Sequence, residues 1–294
     1  MQKLRKLLVV GVGLIGGSCA LALKRANAVR EVVGVGRTRA NLDTAIEREV
    51  VDRARTLDEP WALEAHDADV VLVAAPVAQF PSLFAQLAPH LGPGTCVTDA
   101  GSTKQDVVAA AREAFGARLH AFVPGHPIAG TEHSGAAAAF PALFDNRSVI
   151  LAPLSGTDRD ALARVTAMWQ ACGARVSALS PDRHDAIFAA VSHLPHVLAF
   201  TLVAELAARP DAAAYFDNAA GGFRDFTRIA ASSPEMWRDI ALANRNALLA
   251  EIDGYADALA AARALISAGD GGAIAELFEQ ASHARRAWEM RRPK

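Results

Sequence analysis

The stretch Leu7-Leu8-Val9-Val10-Gly11-Val12-Gly13-Leu14-Ile15-Gly16 constrains this chain more than any other. Four apolar residues read as a buried strand, and they run straight into G-x-G-x-x-G and then into an Ala/Leu-rich helical segment. Strand, glycine spacing and helix in that order build a dinucleotide turn. Gly11 permits the tight bend, Gly13 lets a pyrophosphate approach the backbone, and Gly16 lets the helix pack on the strand. Phosphate then meets free N–H groups at a helix N-terminus, so Gly11, Gly13, Leu14, Ile15 and Gly16 are candidate cofactor contacts. The same segment does not read as a secretory signal. Lys3, Arg5 and Lys6 precede the apolar run, but the glycines punctuate it and no small-residue cleavage motif follows.

The pattern that follows extends this unit. Short β-branched runs at Leu7–Val10, Glu31–Val35, Val70–Ala74, Cys96–Asp99, Ala121–Val123 and Ser148–Ala152 alternate with helical stretches such as Gln105–Phe115 and Asp158–Cys172. Val70-Val71-Leu72-Val73 is apolar throughout, as a strand covered on both faces must be. This predicts an α/β Rossmann-type domain, a doubly wound parallel sheet, over residues 1–180. From Ser180-Pro181, an N-cap followed by proline at the first helical position, strand signals stop. Residues 181–294 are therefore expected to form an all-α domain, broken at Pro210, Gly221-Gly222, Pro234 and Gly269 to Gly272.

A carboxylate normally ends the second strand of such a domain and binds the ribose 2′-OH of NAD. Here that strand closes with Val33-Gly34-Val35-Gly36-Arg37-Thr38-Arg39, and Gly36 stands where the acid belongs. Guanidinium and hydroxyl donors in place of an acid suit a 2′-phosphate, which favours NADP, with Arg37 and Thr38 as contacts and NAD as the other candidate. The chain as a whole is nearly neutral, with 30 Lys plus Arg against 32 Asp plus Glu. It offers no electrostatic footprint for nucleic acid.

Ligands of an open parallel sheet bind beyond the carboxyl ends of its strands. Three segments there are unusual: Ala74-Ala75-Pro76, Asp99-Ala100-Gly101-Ser102-Thr103-Lys104, and Gly125-His126-Pro127-Ile128-Ala129-Gly130-Thr131-Glu132. Ala75 and Pro76 are further candidates for the cofactor. Together with Ser192-His193-Leu194-Pro195-His196, the run Gly222 to Ala230 and Ser233-Pro234-Glu235-Met236-Trp237-Arg238-Asp239, these segments resemble the prephenate and arogenate dehydrogenases of tyrosine biosynthesis. The resemblance covers Leu7 to about Asn246, with the motifs in the family's order.

The resemblance implies oxidative decarboxylation of a cyclohexadienol, with hydride leaving ring C4 for nicotinamide. It implies that His126 is the catalytic imidazole, uncharged so that it can accept the hydroxyl hydrogen bond. Ser102 is matched to the serine that places the same hydroxyl and the nicotinamide, though a serine there also reads as the N-cap of the next helix. Arg228 is implied to hold the side-chain carboxylate, with His196 and Trp237 beside it and Asp225 holding Arg228. Arg224 reads as solvated or ion-paired. The resemblance also implies a homodimer joined through the helical domain, for which Ala241 to Ile266 offers apolar positions. Tyrosine feedback in the same cleft is open, as is the choice between prephenate and arogenate.

Two other readings compete. A 3-hydroxyacid or 6-phosphogluconate type of dehydrogenase shares this architecture but uses a lysine of the helical domain, where this chain has only Lys294. A non-enzymatic NADP-sensing module would have no reason to carry Ser102, His126, His196 and Arg228 together. His193, His196 and His184-Asp185 raise a metal site, but hydride chemistry needs none and His184 and His193 read as supporting groups. The three cysteines, Cys19, Cys96 and Cys172, form no CxxC pair and fit a reducing cytoplasm. No membrane span is expected, because His193, Pro195, His196 and Glu205 interrupt the most apolar stretch.

Overall fold

The computed structural model describes residues 3–131 and 133–291. Glu132 and Lys294, both named above, lie outside them. Six strands form one wholly parallel sheet: β1 (Leu4–Val10), β2 (Val29–Gly36), β3 (Arg53–Thr56), β4 (Val70–Val73), β5 (Cys96–Asp99) and β6 (Phe122–Val123). Their order is β3-β2-β1-β4-β5-β6, so the chain reverses its direction of travel between β1 and β4.

Alternation along each strand divides the core into two layers. Leu7 and Val9 of β1 and Val70 and Leu72 of β4 face α1 (Leu14–Arg25) and α5 (Arg159–Ala171), where Met168 and Trp169 are buried. Leu8, Val10, Val71 and Val73 point the other way, toward α3 (Phe80–Leu87) and α4 (Gln105–Phe115). There Phe84 packs within 5.0–5.4 Å, ring to ring, of Phe80, Phe115 and Phe122. Burial on both faces is why these strands read as unbroken apolar runs.

The sequence reading placed Ser148–Ala152 in this sheet, and the structure places it elsewhere. Pro124 follows β6 and has no N–H to continue the ladder. The chain then starts β7 (Gly125–Pro127), which pairs antiparallel with β8 (Ser148–Leu151), and β8 pairs parallel with β9 (Arg175–Ala178). This second, three-stranded sheet carries His126 opposite Ile150.

From Pro181 onward the described residues contain helices, turns and loops. The elements are α6 (Pro181–Phe188), a π-helical turn (Ala189–His193), α7 (Leu194–Ala207), α8 (Ala212–Asp217), α9 (Gly221–Thr227), α10 (Pro234–Ala243), α11 (Arg245–Ala268) and α12 (Gly271–Arg291), with a 3-10 turn at Arg228–Ala231. Pro195, which has no N–H for the carbonyl four residues back, sits where the π turn gives way to α7. The chain separates into compact units of residues 1–245 and 246–294. The second holds nearly all of α11 together with α12, separated by Gly269 at φ +65°.

The continuous helical stretch Pro181–Ala207 is long and apolar enough to cross a membrane by length and composition, which the sequence reading did not anticipate. Within the fold three of its polar members are buried against protein: His184 and Asp185 at the start of α4, and His193 against Asn244.

Candidate active site

A cleft of about 390 Å³ opens at the carboxyl ends of β1 and β4, where the order of strands reverses. Gly11, Gly13, Arg37, Thr38, Ala75 and Pro76 line it. Gly11 has φ +104°, and a Cβ there would collide with the carbonyl of Ala74. Beside Gly13 nothing lies within 4 Å of the place a Cβ would take, so the backbone stands open to a ligand. Leu14, Ile15 and Gly16 are not on the wall. Leu14 is buried, Ile15 packs against the core and Gly16 lies against Val9, so what these three offer is the free N–H groups of the first turn of α1. An open glycine cradle at a helix start suits a pyrophosphate.

Arg37 and Arg39 have different surroundings. Arg39 is tied to Glu59 at 2.6 Å, whereas Arg37 is exposed and makes no ion pair among the described residues. Thr38 takes the N-cap position of α2 (Arg39–Glu47), yet its hydroxyl makes no capping bond.

On the far side of β4, the loop after β5 is fixed by a buried ion pair. Asp99 accepts from Lys104 Nζ and from the backbone N–H groups of Gly101 (2.7 Å) and Gly125 (3.0 Å). Lys104 Nζ also donates to the Gly125 carbonyl at 2.8 Å. The pair thus clamps both backbone groups of the residue that precedes His126. Ser102 lies half-buried within this loop, and its hydroxyl makes no hydrogen bond among the described residues. It is not the cap of α4. Lys104 holds the N-cap position, and the first N–H groups, those of Lys104 and Gln105, are taken at 2.8 Å each by the two carboxylate oxygens of Asp185.

Asp185 connects the helix start to the imidazole. His184 Nδ1 lies 2.8 Å from Asp185 Oδ1, and His184 Nε2 lies 2.8 Å from His126 Nδ1. His184 is fully buried and Asp185 nearly so, while His126 is partly exposed with its Nε2 free of hydrogen bonds among the described residues. Burial pushes the His126 imidazole well below its usual value, and His184, Lys104 and His193 push the same way. Burial also lowers His184, against the pull of Asp185. An uncharged imidazole at position 126 follows.

Asn244 bridges this chain of groups to a second cluster. Its amide donates to the Asp185 carbonyl at 2.8 Å and to His193 Nδ1 at 3.1 Å. His193 then carries its proton on Nε2, which is buried without a partner, and the nearby Trp237 Nε1 is buried without one as well. His196 stacks on Trp237, ring centroids 3.4 Å apart, and bonds through Nδ1 to the Ser192 carbonyl. Burial lowers His193 to about 4, and burial with the charge of Arg228 lowers His196. Arg228 is exposed and unpaired among the described residues, so the expected hold of Asp225 on it is absent. The structure therefore brings His126 together with His184, and His196 with Trp237 and within reach of the Arg228 charge. Among the described residues no group of three His, Cys, Asp or Glu side chains is placed to hold a metal ion.

The sequence alone assigns no role to Asp99, Lys104 or Asn244, and weighs Asp185 only as part of a metal site. The quoted Asp99–Lys104 motif and the adjacent His184-Asp185 pair were available signals, whereas Asn244 had none.

Residues 19–178 match the family model described as prephenate dehydrogenase, nucleotide-binding domain, and residues 180–280 match prephenate dehydrogenase, dimerization domain. The cyclohexadienyl dehydrogenase of Zymomonas mobilis is 33% identical over 300 residues, covering 97% of this chain and 96% of that one. The crystal structure of prephenate dehydrogenase from Aquifex aeolicus, in complex with hydroxyphenyl propionate and NAD+, superposes with a TM-score of 0.89 at 34% identity over 96% of this chain and 98% of that one. Synechocystis arogenate dehydrogenase gives 0.81 at 30% identity over 96% and 99%.

Proposed function

The chain belongs to the prephenate dehydrogenase family and is an oxidoreductase, and from that premise we propose that it performs NADP-dependent oxidative decarboxylation of prephenate or arogenate, yielding 4-hydroxyphenylpyruvate or tyrosine. The observation that carries this reading is the imidazole of His126, held through Nδ1 by buried His184 with its Nε2 making no hydrogen bond among the described residues, in surroundings that disfavour its charge. A nicotinamide dinucleotide bound over Gly11, Gly13 and the first turn of α1 supplies the hydride acceptor. As hydride leaves C4, the hydroxyl there becomes acidic, and His126 Nε2 accepts its proton. Loss of the ring carboxylate as CO2 then aromatises the ring, and His126 returns the proton to the phenolate oxygen. Ser102 orients the hydroxyl, and Arg228 binds the side-chain carboxylate, with His196 and Trp237 flanking that side chain.

Preference for NADP is supported by Gly36 in place of an acid and by Arg37, unpaired among the described residues, beside Thr38 on the cleft wall. Only one of the two arginines is available, because Arg39 is committed to Glu59. We assign nucleotide binding to residues 1–180 and substrate binding and dimerisation to 181–294. A homodimer is supported by the apolar side chains that α11 and α12 leave exposed, including Leu249, Leu259, Ile266 and Phe278. Three free, buried thiols fit a cytoplasmic setting. Purified protein assayed with each substrate against each cofactor tests the proposal. Cofactor reduction coupled to CO2 release, faster with NADP, is expected; no reduction with either substrate overturns the function.

A further inference from the structure

We propose that His184 and Asp185 are positioning residues that fix the tautomer of His126 and relay its proton. The inference rests on the reading of His126 as the base. Asp185 is the fixed end of the chain of hydrogen bonds, because its carboxylate oxygens accept from Lys104 N and Gln105 N, both at 2.8 Å. The contact at 2.8 Å to His184 is therefore donated by His184 Nδ1–H. A neutral His184 is left with Nε2 as an acceptor, so the 2.8 Å contact to His126 must be donated by His126 Nδ1–H. His126 Nε2 carries the lone pair and makes no hydrogen bond among the described residues. Of the two neutral forms of His126, the hydrogen bonds select the one that can accept.

The same chain moves a proton. When the C4 hydroxyl gives its proton to His126 Nε2, the N–H bond at His126 Nδ1 breaks and that proton forms a bond with His184 Nε2. His126 is neutral again, and the positive charge sits on His184, hydrogen-bonded to Asp185. Aromatisation of the ring reverses both transfers, so the proton returns to the product oxygen and none is exchanged with solvent. The device answers a difficulty in the site: burial and the nearby Lys104 cation make His126 alone a weak base. With the relay, the charge comes to rest next to a carboxylate.

Nitrogen-15 imidazole spectra of the resting protein test the tautomer. His126 should show a protonated Nδ1 and an unprotonated Nε2; the opposite pattern overturns the proposal. Two variants test the relay. His184→Gln can still accept from His126 Nδ1–H through its amide oxygen but passes no proton, and should lower kcat about 10-fold with KM and cofactor Kd unchanged. His184→Leu removes the acceptor as well and should lower kcat at least about 10²-fold, with His126 sampling both tautomers. Unchanged kcat in the leucine variant overturns the proposal. If the wild-type protein reduces no cofactor with either substrate, the proposed function fails instead, and the imidazole spectra still decide the tautomer.

Discussion

Lowering the pH from 7.5 to 5 should destabilise this protein through His193 by about 2 kcal/mol. The imidazole is 1% exposed, Asn244 donates to its Nδ1, its Nε2–H has no partner and Trp237 packs near it. Burial lowers it from 6.5 to about 4, the charges of His184 and His196 act in the same direction, and Asp185 opposes them. A histidine whose folded value lies below its unfolded value binds protons more readily when unfolded. Its stabilising contribution is therefore intact above pH 6.5 and is lost as pH falls toward 4. At pH 5 the unfolded imidazole is almost fully charged and the folded one almost neutral, which costs about 2 kcal/mol, with a slope near 1.2 kcal/mol per pH unit. Below pH 4 the loss levels off at about 3 kcal/mol.

Denaturant unfolding at half-unit steps of pH, in wild type and in His193→Gln, isolates this contribution. The glutamine keeps an acceptor for Asn244 and a donor in place of Nε2–H but does not titrate, so the other histidines cancel in the difference. The stability gap between the two proteins should shrink by about 2 kcal/mol from pH 7.5 to 5. A gap that stays flat, or an NMR midpoint for His193 near 6.5, would refute the reasoning, because a buried imidazole with one unpartnered N–H cannot titrate like a solvated one.

His126→Asn should lower kcat by roughly 10²-fold or more while leaving the cofactor dissociation constant in place, as measured by steady-state kinetics and fluorescence titration. Gly36→Asp restores an acid at the end of β2, 3.1 Å from Leu42 at its Cβ, and should move the NADP-to-NAD ratio of kcat/KM toward NAD by at least about 10-fold; a ratio that does not move removes this position from cofactor choice. Lys104→Met leaves Asp99 buried without its cation and should cost about 3–5 kcal/mol in unfolding free energy, so a thermally unaltered variant would show that the two backbone N–H bonds suffice for Asp99.

What could be read in the sequence was what burial writes locally. β1 and β4 are covered on both faces, so Leu7–Val10 and Val70–Val73 are apolar in runs, and the G-x-G-x-x-G turn has a steric reason at Gly11 that any side chain would violate. The strands that escaped notice are polar or short edges. Arg53-Ala54-Arg55-Thr56 buries only alternate residues, Gly125-His126-Pro127 contains two residues that argue against a strand, and Arg175-Val176-Ser177-Ala178 is largely exposed. The segments that hold His126 and Ser102 stand out because they follow strands of the parallel core, and the family resemblance picks out the two residues within them. Their supports could not. Asp185 meets the start of α4 across 81 positions of sequence, and Asn244 meets His193 across 51, so no periodicity or spacing announces either contact.

Asp185 also allows the charge of the relay to be separated from its geometry. Asn is nearly isosteric with Asp and can adopt two orientations. With its oxygen in the place of Oδ1 it keeps the bonds from Lys104 N and His184 Nδ1, and loses only that from Gln105 N. The reverse orientation sets its NH2 against both of those donors and loses two bonds, so the first prevails. Asp185→Asn therefore leaves one N–H of α4 unsatisfied, at a cost of about 1–3 kcal/mol, and leaves the His184 and His126 tautomers as they were. What disappears is the negative charge beside a protonated His184. If that charge matters to proton transfer, kcat should fall at least about 10-fold with KM unchanged, while the nitrogen-15 spectra of the resting enzyme match the wild type. If kcat holds with the spectra unchanged, orientation of His126 is the whole contribution of the pair, and the proton stays on His126 throughout the reaction.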